Sequence, residues 1–460
     1  MVMLGFGSIG QGVLPLLLRH IEMQPAQILI VKPSAKGLEA ANALGVPHLI
    51  APVSCDNLRD VLDPHLGSGD FLLNLSVDVC SVDLIRLCQE RDALYLDTCI
   101  EPWPGAYTDA SRPPAQRTNY ALREQALALR GRGRHPSTAV LTHGANPGMV
   151  SYLVKQALCD MAAQTGLAPP VAPTTRRGWA ELARQLDVRV IHIAERDTQV
   201  GAERKQPGEF VNTWSADGFA SEGRQPAELG WGTHERHFPP DGARHEQGSR
   251  AALYLNRPGA ATRVRSWTPL AGAIQGYLIT HGESISIADH LTLGDPANPV
   301  YRPTVHYAYH PCDDAVLSVH EMAGQNWQMQ PRQRILKDDI VQGMDELGVL
   351  LMGPSRGAYW YGSQLTIEQA RALCPGNSAT SLQVTAPVMA GVVWAMRNPR
   401  RDVVEPDDLP HEEMLEMILP YLGPVVGVAS SWTPLDDRDW PFREDLDRED
   451  PWQFKNFRIT

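Results

Sequence analysis

Gly5, Gly7 and Gly10 in the opening segment MVMLGFGSIGQG stand in the spacing G-x-G-x-x-G. Between a strand and a helix, the first glycine permits a tight turn. The second lets the backbone approach a pyrophosphate, and the third lets the helix pack on the strand. The phosphates then meet free N–H groups at the positive end of the helix dipole. The spacing alone is weak, but VMLGF reads as a short apolar strand and QGVLPLLLRHI as an amphipathic helix. The segment therefore predicts a dinucleotide site built on Gly5, Gly7, Ser8, Ile9 and Gly10. Only four residues precede Gly5, which is short for a central strand, so the native start is expected upstream of Met1.

The other residues able to do chemistry are mostly acids and aromatics. FLLNLS runs through Asn74 towards Asp78, ALYLDT through Thr98 towards Glu101, and STAVLTHG towards Asn146. Ligands of open α/β sheets bind outside the carboxyl ends of the strands, so these residues are expected to line a nicotinamide pocket. Each has an ordinary alternative. Asp78 could cap a helix or sit in its first turn, Glu101 could be a solvated loop acid, and Asn146 could cap a helix opening at Pro147. Farther on, THGES places His281 and Glu283 two residues apart, on one face if the segment is a strand. They read as an acid–base or amine-binding pair, or as a surface cross-strand pair. AERD contributes Glu195, and NTWSADGFASEG reads as a loop carrying Trp214 and Glu222. An indole face can hold a cation, although core packing is the commoner use. A carboxylate substrate needs guanidinium or ammonium partners; an amine needs carboxylates and a ring face, which is what this set offers.

The elements that must position these residues follow from periodicity. In the first third, strands at 28–31, 47–52, 71–76, 93–98 and 137–144 alternate with helices, which predicts a doubly wound α/β sheet, six strands in all, ending near residue 150. After the Pro-rich stretch MAAQTGLAPPVAPTTRRG, the segments VRVIHIAERD, TRVRSW, YLITHGESISIADHL and VHYAYH alternate apolar and polar residues, as half-buried strands of an α+β domain do. DELGVLLMG and AYWYGSQL predict a late hairpin. TSLQVTAPVMAGVVWAMRN and LPHEEMLEMILPYLG predict helices that return to the nucleotide domain, and the charged run DDRDWPFREDLDREDPW a surface tail. The resulting division is 1–150 for the nucleotide domain, 151–375 for the α+β domain and 376–460 for the C-terminal helices and tail. A net charge of −12 argues against a nucleic-acid surface. The seven cysteines are scattered without C-x-x-C, which reads as reduced thiols in a cytoplasmic protein, with neither a disulfide frame nor a metal site. No apolar run reads as a membrane span, and the chain goes straight into the glycine motif without a signal segment.

GFGSIGQG, LDTCIEPW, THGANPGMVS, the NTWS loop, ITHGES, MDELGVLLMG and AYWYGSQL together resemble the bacterial homospermidine synthases, over nearly the whole chain. The resemblance implies a saccharopine dehydrogenase-like fold: a Rossmann-type domain plus an inserted α+β domain that binds substrate and makes a homodimer. It implies a redox-neutral, NAD-dependent aminobutyl transfer from one putrescine to another through imines. By motif, Asp78, Glu101 and Asn146 would flank the nicotinamide, with Asn74 and Thr98 among the cofactor contacts. Trp214 would make a cation–π contact. Glu195, Glu222 and Glu283 would hold ammonium groups or relay protons, His281 would carry or orient a proton beside Glu283, and Asp345 would complete the substrate set. One position departs from NAD-binding folds: Lys32 stands where an acid for the ribose is expected, and a lysine there could favour a 2′-phosphate. The competing readings are a saccharopine- or carboxyspermidine-type dehydrogenase, which would need a basic cluster, and a non-catalytic dinucleotide sensor; Arg176, Arg177, Arg204 and Lys205 are present, but in segments that read as loops.

Overall fold

In the computed structural model, which describes all residues except 133–135, 168–170, 439–440 and 460, the doubly wound sheet has seven strands among the described residues. β1 (Val2–Leu4), β2 (Leu29–Lys32), β3 (His48–Ile50), β4 (Phe71–Asn74), β5 (Leu94–Asp97) and β6 (Ala139–Val140) are parallel, and Val403–Val404 adds a seventh beside β6. The order is Val403–Val404, β6, β5, β4, β1, β2, β3. β1, β4 and β5 are buried throughout, which is why they read as continuous apolar runs. The chain winds in opposite directions from β1 to β2 and from β1 to β4, so the crevice opens at the ends of β1 and β4. STAVLTHG gives a strand of only two residues. The Asp97 carboxylate accepts from the Thr142 N–H at 2.6 Å, and the Asp97 carbonyl from the His143 N–H at 2.7 Å, which turns the chain away from the sheet.

An eleven-stranded sheet among the described residues forms the α+β part. At its centre Val190–Asp197 pairs in parallel with Thr304–His310 and antiparallel with Met344–Gly353. The expected hairpin is Met344–Gly353 with Gly357–Thr366. Two segments differ from their sequence pattern. ITHGES is no strand: His281 is the extended N-cap of a helix, Gly282–His290, with Glu283 in its first turn. Every residue of that helix after Gly282 is buried, so no polar stripe marks its 3.6-residue period, and I-S-I-A imitates strand alternation. The NTWS loop is a strand end, Glu209–Asn212, followed by a helix, Ala216–Arg224, which Ser215 caps by accepting from the Gly218 N–H at 3.0 Å. Glu222 is thus a helical residue. Arg176 and Arg177 likewise open a helix, Arg176–Gln185, rather than a loop. Parts of the Pro-rich stretch (168–170), of the glycine end of the helix after Thr118 (133) and of the tail (439–440) lie outside the described residues.

The helix Ala379–Arg397 packs so closely on Ser8–His20 that a Cβ on Gly12 would lie 3.1 Å from Thr385 Cγ2, and 2.2 Å from Oδ1 of Asn377 just before the helix. By length and composition it would pass for a membrane span, but 89% of its apolar window is buried inside the fold. The tail is exposed or half-buried over 441–450. It then departs from a surface reading: Trp452, Phe454 and Phe457 are buried, and Arg458–Ile459 pairs with Arg263 and Val264. The aromatics override the charge of the run that carries them.

Candidate active site

The nucleotide turn is shaped as its glycines require. Gly5 has φ +88°, and a Cβ on it would lie 2.6 Å from the Leu75 carbonyl oxygen. A Cβ on Gly10 would press within 3.1 Å of the Phe6 ring, whereas one on Gly7 would meet nothing within 4 Å. Gly7 caps the helix Ser8–His20 without a side chain, so the first N–H groups face open space. This cradle fits a pyrophosphate. Ser8 Oγ donates to the Trp214 carbonyl at 2.6 Å and so ties the turn to the segment between Glu209–Asn212 and the helix Ala216–Arg224. Asn74 is buried and turned inwards, donating to the Tyr95 hydroxyl at 3.2 Å and accepting from Ser76 Oγ at 2.6 Å. Lys32 is not a solvated strand end. It is 7% exposed, and its amino group donates to the Lys36 carbonyl.

One cavity joins this turn to the second sheet. Its lining includes Ile9, Thr98, Cys99, Asn119, Arg123, Asn146, Glu195, Trp214, Glu222, Thr280, His281, Tyr307 and Glu405. Asn146 Nδ2 donates to Glu195 Oε2 at 2.9 Å, and the Tyr307 hydroxyl donates to the same oxygen. Asn146 caps no helix, since the next one, Met149–Thr165, has Gly148 at its N-cap. Burial pushes Glu195 up to about 7 against the opposing Tyr307 hydrogen bond. His281 lies between two carboxylates, with Nδ1 3.2 Å from Glu283 Oε1 and Nε2 3.1 Å from Glu222 Oε2. Burial alone would lower the imidazole pKa. The charges of Glu283 and Glu222 outweigh it and hold His281 protonated well above its usual range. Trp214 donates from Nε1 to the Tyr309 hydroxyl at 3.1 Å, and Tyr309 stacks on Tyr307 with ring centroids 5.1 Å apart.

The remaining acids surround this cavity rather than line it. Glu283 is 1% exposed, behind His281. Glu101 is 7% exposed, which removes the solvated-loop reading. Its Oε2 has no hydrogen-bond partner, and burial, then the charges of Asp78 and Glu222, push it up to about 8. Asp78 precedes the helix Ser81–Arg91 by more than its cap, in a left-handed conformation at φ +64°, so it caps nothing. Asp345 is opposite Asp197 across the antiparallel ladder. Both its oxygens are buried without a hydrogen bond, and burial, then the Glu195 and Asp197 charges, raise its pKa well above the usual range. The basic residues a carboxylate substrate would need are elsewhere: Arg176 pairs with Asp289 at 3.1 Å, Arg204 with Asp314 at 2.9 Å, and Lys205 with Glu321. Arg123 does line the cavity, but Glu405 and Asp289 occupy it.

Tyr307, Arg123 and Glu405 were not singled out from the sequence. For Tyr307 a signal existed. VHYAYH alternates, and Tyr309 pairs with Glu195 in parallel register, so Tyr307 shares the Glu195 face. Arg123 and Glu405 are 282 residues apart and offered none.

Residues 1–141 match the saccharopine dehydrogenase NADP binding domain, and residues 144–428 the saccharopine dehydrogenase C-terminal domain. The chain is 54% identical to a homospermidine synthase of Blastochloris viridis over 463 residues, covering 100% of this chain and 97% of that one. It is 49% identical to one of Mesorhizobium japonicum, covering 100% and 96%. Its structure is similar to that of a Legionella pneumophila homospermidine synthase in complex with NAD, with a TM-score of 0.93 at 44% identity over 100% of this chain and 97% of that one. A saccharopine dehydrogenase (L-Glu forming) of Saccharomyces cerevisiae shares the fold alone, with a TM-score of 0.51 at 12% identity over 93% of this chain and 99% of that one.

Proposed function

The chain belongs to the homospermidine synthases, and on that premise we propose how its own residues handle the substrate. The substrate is putrescine, and two molecules give homospermidine and ammonia. NAD, held by Gly5, Gly7, Ser8, Ile9 and Gly10 with Asn74 and Thr98 at the strand ends, accepts a hydride from the carbon beside one amine and returns it later, so no net redox change results. NAD is taken as the cofactor because the similar Legionella pneumophila enzyme is in complex with NAD; Lys32 keeps its charge, with one of its three donors on the Lys36 carbonyl.

The observation that carries this reading is the charge of the cavity. Glu195 and Glu222 line it, Glu283, Glu101 and Asp345 stand close behind, and its guanidinium is already neutralised. Burial and the charges of neighbouring acids raise the pKa values of Glu195, Glu101 and Asp345 for want of a counter-charge, and a diammonium ion would return them to the ionised form, whereas a carboxylate would raise them further. An ammonium must lose a proton before hydride can leave its carbon. Glu195, pushed up to about 7, is suited to take it from an amine placed near Asn146. His281 holds a proton between Glu222 and Glu283 and passes it to the departing or entering nitrogen. Asp78, Glu101 and Asp345, behind the lining, attract the far ammonium ends by their charge rather than by contact, and the Trp214 ring gives a cationic intermediate a face to lie on. Burial of these groups keeps water from the imine. The same reading takes the enzyme to be a cytoplasmic homodimer, divided at residues 150 and 375.

Purified protein incubated with putrescine and catalytic NAD tests this. Homospermidine by mass spectrometry, equimolar ammonia and no net NADH are expected. NADH accumulating with an amino acid substrate would put a dehydrogenase in its place. Within that assay Trp214→Ala is expected to raise the KM for putrescine by about 2–30-fold, the equivalent of ~0.5–2 kcal/mol of cation–π contact. NAD affinity should be little changed. A variant with normal amine kinetics but a lower melting temperature would make Trp214 a packing residue.

A further inference from the structure

Arg302 is 4% exposed, yet its guanidinium has no carboxylate partner among the described residues. Nε donates to Thr292 Oγ1 at 2.8 Å, Nη1 to the Arg250 carbonyl at 3.0 Å and Nη2 to the Pro296 carbonyl at 3.1 Å. All three acceptors are neutral, and five donors are available. A buried cation without a paired carboxylate is costly, and Arg302 borders a cavity of about 570 Å3 that shares no lining residue with the active site.

The rest of that cavity has the same bias. Arg244 and Arg250 line it. Arg244 rests over the Phe238 ring at 4.8 Å, and Arg250 spends only Nε, on the Glu246 carbonyl at 2.9 Å. His245, also in the wall, is 8% exposed, with its Nε2 turned towards Glu228 Oε1 at 3.9 Å, and burial keeps it neutral by pushing its pKa down to about 4. Two acids also line it: Glu235 accepts from Thr304 Oγ1 at 2.6 Å and from the Phe454 N–H at 2.9 Å, and Glu246 is exposed, so three guanidiniums face two carboxylates. Trp231 supplies an apolar wall.

We propose that this pocket binds a small phosphate-bearing molecule, with Arg302 at its base and Arg244 and Arg250 around the phosphoryl oxygens. The planar fork of arginine matches a phosphoryl group, and three guanidiniums suit a dianion better than a single carboxylate. The site borders the catalytic one: His245 stacks on Tyr120 at 3.8 Å, and Tyr120 lies on the helix that carries Arg123.

Calorimetric titration of the NAD-saturated enzyme with inorganic phosphate and with glycerol 3-phosphate tests the proposal, since bound NAD blocks the pyrophosphate cradle. Saturable binding of at least one probe is expected, weakened at least about tenfold by Arg250→Ala and by Arg244→Ala, the loss of one charge-assisted contact. Turnover of putrescine without phosphate should be unchanged in both variants. Tighter binding of glycerol 3-phosphate would identify an ester as the occupant, and equal binding free phosphate. Absence of saturable binding by both probes, or affinity unchanged in both variants, would overturn it.

Discussion

His281→Gln is expected to lower kcat for homospermidine formation by about 10²–10⁴-fold, the usual loss when a positioned proton carrier is removed. Glutamine can still donate a hydrogen bond to one of the flanking acids, but it cannot carry the proton that Glu222 and Glu283 hold on the imidazole at 3.1 and 3.2 Å. Glu283→Gln should act on the same step, because Glu283 Oε1 faces His281 Nδ1 while its other oxygen has no partner. The double variant should therefore be little slower than either single one, as for residues that work as a unit. NAD binding, measured by titration, should survive in all three, since none of these groups touches the glycine turn. Full activity of His281→Gln with a reduced melting temperature would make the Glu222–His281–Glu283 line a structural bridge.

The nucleotide sheet was legible in the sequence because its signals are local. A buried parallel strand is an apolar run, and a glycine turn has a fixed spacing, so GFGSIG, FLLNLS and ALYLDT could be read one at a time. The α+β part was legible only where strands alternate. THGES misled because a helix buried on every side carries no stripe. The NTWS segment misled because its turn-like residues are a helix cap, Ser215, and a helix with two glycines. The chemistry of the acids could be guessed from their types, but not which of them touch. That Asn146 and Tyr307 meet on one oxygen of Glu195 depends on bringing together positions 49 and 112 residues apart. The strand register specifies that meeting, and no short motif records it. Lys32 shows the same limit from the other side. Its type suggested a phosphate ligand, but a carbonyl four residues away takes one of its donors.

Arg123→Ala is expected to destabilise the protein by about 3–5 kcal/mol, the cost of stranding a buried charge partner. Arg123 is 4% exposed in its side chain and reaches three parts of the chain. It lies on the helix Asn119–Leu127, grips Glu405 in a fork at 2.6 and 2.7 Å, and donates to Asp289 on the helix Gly282–His290 at 2.8 Å. Glu405 follows the strand Val403–Val404, so one guanidinium fastens the nucleotide sheet, the second sheet and the C-terminal return at the cavity wall. Asp289 shows the dependence: burial would raise its pKa, and the Arg123 and Arg176 charges bring it below the usual range. Its contribution to stability is therefore present above the unfolded carboxyl pKa and is lost as pH falls through the lower folded value. Without Arg123 the acids of this cluster shift upward and are penalised as they ionise, so the variant's deficit should be larger at pH 7.5 than at pH 5. Urea midpoints at the two pH values check this, and adding Glu405→Gln should recover part of the loss by removing the stranded charge. A deficit under about 1 kcal/mol that does not vary with pH is what an exposed ion pair would give. It would mean that this wall of the cavity is open to water, and that the enclosure on which imine retention depends is made elsewhere.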